Sequence, residues 1–114
     1  MAPLRDSVIA KAFREALENW NRVGYVRLLR VPNEWLRDHL PGETAQSLVR
    51  MMYEHLLAGG EIDQVIETRD PWRNTHDFHY DFRFAIARRK IYVETVIDLG
   101  RMGPTVTIVS IHNG

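Results

Sequence analysis

Residues 77–86 read DFHYDFRFAI. With a period of two, Phe78, Tyr80, Phe82, Phe84 and Ile86 fall on one side, and Asp77, His79, Asp81, Arg83 and Ala85 on the other. A strand sends alternate side chains to opposite faces of its sheet, so this segment is a strand with one nearly all-aromatic face. Burying each aromatic side chain contributes roughly 2–3 kcal/mol, which requires a second layer over that face. The other face carries acid, base, acid and cation in one row. Strict alternation therefore predicts Phe78, Tyr80, Phe82 and Phe84 buried, and His79, Asp81 and Arg83 more exposed.

The remaining punctuation divides the chain into helices followed by strands. Asp6 and Ser7 suit the cap of a first helix, along which Ile9, Phe13, Ala16, Leu17, Trp20 and Val23 recur at helical spacing until Gly24. Residues 25–30 (YVRLLR) fit a short strand or more helix. Pro32 fits the first turn of a helix running through His39, since its missing N–H is not needed there. Pro41-Gly42 breaks the chain, and 43–58 reads as a helix closed by Gly59-Gly60. From residue 60 the period shifts to two. Strands are expected over 61–68, 77–86, 90–97 and 105–111. The intervening segments are loops at 70–75 and 98–104 and a turn at 87–89. Segregation of this kind makes an α+β domain: N-terminal helices packed on one face of a four-stranded antiparallel meander. The 114 residues suit a single domain over 1–114, with 1–59 as the helical layer and 60–114 as the sheet.

Composition narrows the chemistry. Fifteen basic and fifteen acidic side chains cancel, so the chain as a whole offers no long-range attraction to nucleic acid or to an anionic membrane. With no cysteine, disulfides, thiol nucleophiles and cysteine zinc sites are excluded. No apolar run suits a signal peptide or a membrane span. The expectation is a cytoplasmic protein with no membrane partner and no cofactor.

On the polar face, His79, Asp81 and Arg83 share a parity on the second expected strand. Lys90, Tyr92 and Glu94 do so on the third, and His112 follows Ser110 past the fourth. If the register allows, His79, Arg83, Tyr92, Glu94 and His112 converge on one open surface. That set has the parts for metal-free cleavage of a phosphodiester. Histidine or glutamate moves protons, and arginine holds the phosphate. The same residues also describe a solvated face with cross-strand ion pairs such as Arg83–Glu94. A metal site at His76, Asp77, His79 and Asp81 is not expected, because further convergent ligands are lacking. Arg88, Arg89 and Lys90 at the hairpin tip suit phosphate contacts or a merely charged tip. His39, His55, Trp35 and Trp72 read as packing or anchoring residues.

The second half also resembles the RelE/YoeB-type toxins of toxin–antitoxin pairs. The hairpin FRFAIARRKIYV places an arginine in one strand and another three residues before a tyrosine, and a closing apolar strand ends in SIHNG. The resemblance implies helices on a curved antiparallel sheet and RNA endonuclease activity, with Arg89 and His112 matching the arginine and near-terminal histidine of that chemistry. Its carboxylate has no matched position, and Glu67, Asp81 and Glu94 are candidates by geometry only. The leading expectation is a toxin-like, metal-independent RNA endonuclease whose dependence on the ribosome stays open. Arg83 and Arg89 would contact phosphate, and His79, Glu94 and His112 would handle protons. Arg88, Lys90 and Tyr92 would contact RNA. The expected partners are RNA or the ribosome, and an antitoxin-like protein. The alternative is a non-catalytic protein-binding module using its sheet face or edge.

Overall fold

A computed structural model describes residues 2–114. In chain order the elements are β1 (Ala2–Pro3), α1 (Ser7–Glu18), β2 (Val26–Leu28), α2 (Arg30–His39), α3 (Ala45–Leu57), β3 (Ile62–Ile66), a 3-10 turn (Trp72–Asn74), β4 (Phe78–Ile86), β5 (Arg89–Gly100) and β6 (Gly103–Asn113). The architecture is α+β with the helices in the N-terminal half. The sheet departs from the expected four-stranded antiparallel meander. It has six strands in the order β1-β3-β4-β5-β6-β2, and β2 runs parallel to β6. Two strands of the first half thus close its two edges. Neither is long enough to display a period of two, which is why the sequence pattern did not separate them from loop or helix. No helix is long and apolar enough to cross a membrane.

Local chemistry explains the helix ends. The Asp6 carboxylate accepts the backbone N–H groups of Val8 and Ile9, and Thr44 and Ser47 cap the start of α3 reciprocally. Pro32 lies in the first turn of α2, and Gly59 takes φ 82° just past α3. The hydrophobic faces of these helices cover the aromatic face of β4. Phe13 of α1 meets Tyr80 and Phe82 edge-on, with ring centroids 5.2 and 5.6 Å apart. Tyr80 and Phe82 are buried, while Phe78 and Phe84 pack against the rim of the core.

The opposite face differs from expectation. Arg83 is exposed, but Asp81 is only 4% exposed and His79 is mostly covered. The cause is the connection between β3 and β4. Residues 67–77 fold back across the sheet, so that Arg69 reaches Glu94 and His76 reaches Asp98, both on β5. The sequence marks this segment as a loop but not where it lies. The expected loop 98–104 is also shorter than it reads. β5 and β6 continue to Gly100 and Gly103, which pair across the two-residue turn Arg101-Met102, with Gly103 at φ 111°.

The β4–β5 hairpin turns on Ala87 and Arg88, at φ 50° and 68°. Two successive left-handed residues match the twist of a hairpin but suit Asn-Gly far better than Ala-Arg. The double substitution Ala87→Asn, Arg88→Gly is therefore expected to stabilise the fold by about 1–2 kcal/mol. A urea unfolding midpoint that rises with an unchanged slope is the expected result, and an unmoved or lowered midpoint would contradict it.

Candidate functional site

Strand register builds the polar face. Arg83 lies opposite Tyr92, and Tyr92 opposite His112; Asp81 lies opposite Glu94, and Glu94 opposite Ser110. Two rows of side chains thus cross β4, β5 and β6. In the first, the Arg83 guanidinium sits 4.3 Å from the Tyr92 ring centroid, and the Tyr92 and His112 rings stack at 5.0 Å and 13°. Cation–π attraction and ring stacking hold three flat groups in order across three strands. Beyond Glu94 the pairing shifts by a bulge, from Ser110 opposite Glu94 to Ile108 opposite Thr95. A bulge bends its strand and re-aims neighbouring side chains, and here it borders the site.

The second row is anchored from the loop. Arg69 donates from Nε and one terminal nitrogen to the two Glu67 oxygens, each at 2.9 Å, and its other terminal nitrogen contacts Glu94 Oε2. The Glu67 side chain is 0% exposed, and its carboxylate also accepts the Arg69 backbone N–H at 2.9 Å. Burial pushes the Glu67 carboxyl upward, but the Arg69 hydrogen bonds and charge outweigh it and hold the group below its ordinary range. Glu94 follows the same pattern. Burial raises it, while the His112 hydrogen bond and the Arg69 and His112 charges bring it below the ordinary value. The Arg69 guanidinium is in turn held more firmly protonated, chiefly by Glu67.

His112 Nε2 lies 3.0 Å from Glu94 Oε1, and its Nδ1 lies 3.2 Å from the Asn113 carbonyl oxygen. The His112 side chain is 45% exposed, whereas Glu94 is largely covered. The result is a solvent-facing imidazole oriented by a carboxylate behind it. Such a group can hold a proton at Nδ1 and release it to a bound atom.

The other expected site residues fall in three places. His79 Nδ1 lies 2.8 Å from Asp81 Oδ1, under the covered part of the face. Burial raises the Asp81 carboxyl above its ordinary value, against the opposing hydrogen bond from His79. Lys90 is exposed beside Tyr92 and, with Arg83, Ala85 and Gly114, lines a groove of about 490 Å³ at the open end of the face. Arg88 sits in the hairpin turn.

Arg89 requires a correction. It shares the parity of Ile91 and Val93, so it projects from the opposite face, where it donates to the His39 carbonyl oxygen at 2.7 Å and to Asn113 Oδ1 at 2.8 Å. There it ties the end of α2 to the end of β6. It does not join His112 in one site. The expected cross-strand pair Arg83–Glu94 is also replaced: Arg83 meets Asp63 at 3.3 Å, and Arg69, absent from the expected set, takes Glu94. Only the spacing Glu67-Thr68-Arg69 at the end of a strand signals that role. His76 is engaged by Thr75 and Asp98. Among the described residues, no three histidine, aspartate or glutamate side chains converge as metal ligands.

Comparison with known proteins finds no match: no family model, no curated protein and no solved structure is similar to this chain.

Proposed function

We propose that the open end of the polar face binds and cleaves single-stranded RNA without a metal. One observation carries this reading: His112, open to solvent, is oriented by Glu94, which Arg69 pins from behind. The 2′-hydroxyl would attack phosphorus, its proton passing to solvent. His112 would protonate the departing 5′-oxygen from Nδ1. Arg83 would hold the phosphate, and Lys90 and Arg88 would draw in the neighbouring backbone. Tyr92 would keep Arg83 and His112 in line. Glu94 would act as the positioning residue for His112, since its lowered carboxyl makes a weak proton acceptor. The zero net charge assigns attraction to these local cations.

The test is incubation of the purified chain with labelled single-stranded RNA in a chelator, with and without ribosomes. Cleavage with 2′,3′-cyclic phosphate ends is expected in at least one setting, and intact RNA in both would refute the proposal.

A second reading rests on the sheet edge. β2 pairs only with Val106–Ile108 of β6, so the segment around Ile111–Asn113 has no strand on its outer side among the described residues. A protein partner could add a strand there, immediately beside His112. If RNA stays intact, this binding-module reading takes precedence.

A further inference from the structure

A cavity of about 570 Å³ lies away from the His112 site, between β1, the start of α1 and the far ends of β4 and β5. That volume suits a small organic ligand. Its walls include Phe78 and Ile97, and Arg5, Asp6 and Asp77 stand around it. Tyr80 also lines it. This residue is 6% exposed, yet its hydroxyl makes no hydrogen bond to a protein group among the described residues. It is not sealed off either, since no buried side-chain oxygen lacks a partner. Buried tyrosine hydroxyls ordinarily find a partner. Here the hydroxyl opens into the cavity.

The charge around it selects the partner. Asp6 spends Oδ1 on the α1 cap, which leaves its second oxygen available. Asp77 is exposed. Burial and then these two carboxylates push the Tyr80 phenol above its ordinary value, so the field at the hydroxyl is negative. We propose that this cavity binds a small organic cation, an ammonium group carried on an apolar body. The ammonium would donate to the Tyr80 hydroxyl and lie between Asp6 and Asp77, with the body against Phe78 and Ile97. Arg5 would repel a second cationic end, so the ligand is a monoamine rather than a polyamine.

The probe is phenethylamine, titrated into the full chain by NMR and calorimetry, with phenethyl alcohol and phenylacetate as neutral and anionic controls. The amine is expected to bind at roughly millimolar concentration or tighter, with the alcohol about tenfold weaker and the anion silent. Tyr80→Phe should weaken amine binding about tenfold while leaving the melting temperature unchanged, because no protein hydrogen bond is lost. Asp77→Asn, at an exposed position, should weaken it to a similar extent and carries the test if Tyr80→Phe does not fold. Absence of amine binding, equal binding of the three probes, or binding that persists undiminished in the folded variants would overturn the proposal.

Discussion

Arg69→Met is expected to lower the unfolding free energy by about 3 kcal/mol at neutral pH. Breaking a buried ion pair by removing one partner typically costs ~3–5 kcal/mol, because the other charge stays buried without compensation. Here that charge is Glu67, whose side chain has no exposed surface. The low end applies because Arg69 itself is partly open to solvent, where water screens its charge. The pH dependence identifies the mechanism. In the wild type, Glu67 and Glu94 lie below the ordinary carboxyl value of 4.5, so they contribute stability above that pH and lose it as pH falls through their lowered values. Without Arg69 the Glu67 carboxyl moves upward and takes up its proton at higher pH. The difference between wild type and variant therefore shrinks on acidification. Replacing Glu67 by Gln in the same chain should recover much of the loss at neutral pH. Urea titrations at pH 7 and pH 4 measure both effects. A deficit that stays constant with pH, or no rescue by Glu67→Gln, would contradict the account.

The same ion-pair cluster shows how far the residues alone could be read. Period and capping carried the long elements, because Phe13, Phe82 and their neighbours repeat often enough to mark a face, and Asp6 and Gly59 mark where helices begin and end. β1 was out of reach, since two residues make no period, and for 25–30 the strand reading could not be chosen over helix, because the placement of β1 and β2 depends on partners distant in sequence. The row Arg83, Tyr92, His112 needed only the correct register, which alternation constrains. Arg69 and Asp81 needed the path of the connection over the sheet, and loop composition does not encode direction. Arg89 illustrates a different failure. Its place before Tyr92 suggested proximity to His112, but odd and even positions of a strand lie on opposite faces, and Arg89 differs from Tyr92 in parity. Family resemblance aligned the residue, while strand geometry aimed it elsewhere.

His112→Ala is expected to lower the rate of RNA cleavage by about a hundredfold to ten-thousandfold, the ordinary value of one positioned acid. Stability should fall by only about 1 kcal/mol, because a half-exposed ring and its hydrogen bonds to Glu94 and to the adjacent Asn113 carbonyl are lost while Glu94 keeps Arg69. The contrast between a large loss in rate and a small loss in stability separates chemistry from packing. Glu94→Gln supplies the complementary measurement. It preserves shape but removes the charge that orients the imidazole, so kcat should fall and its pH profile shift, with KM little changed. Arg83→Ala, which removes the proposed phosphate contact, should raise KM as well. These rates are measured on one labelled RNA under the conditions in which the wild type is active. If His112→Ala cleaves as fast as the folded wild type, the proton comes from elsewhere, and the remaining imidazole on this face is His79. That residue is largely covered and engaged by Asp81, so it could act only if its surroundings opened. His79→Ala would then abolish the activity that His112→Ala leaves intact.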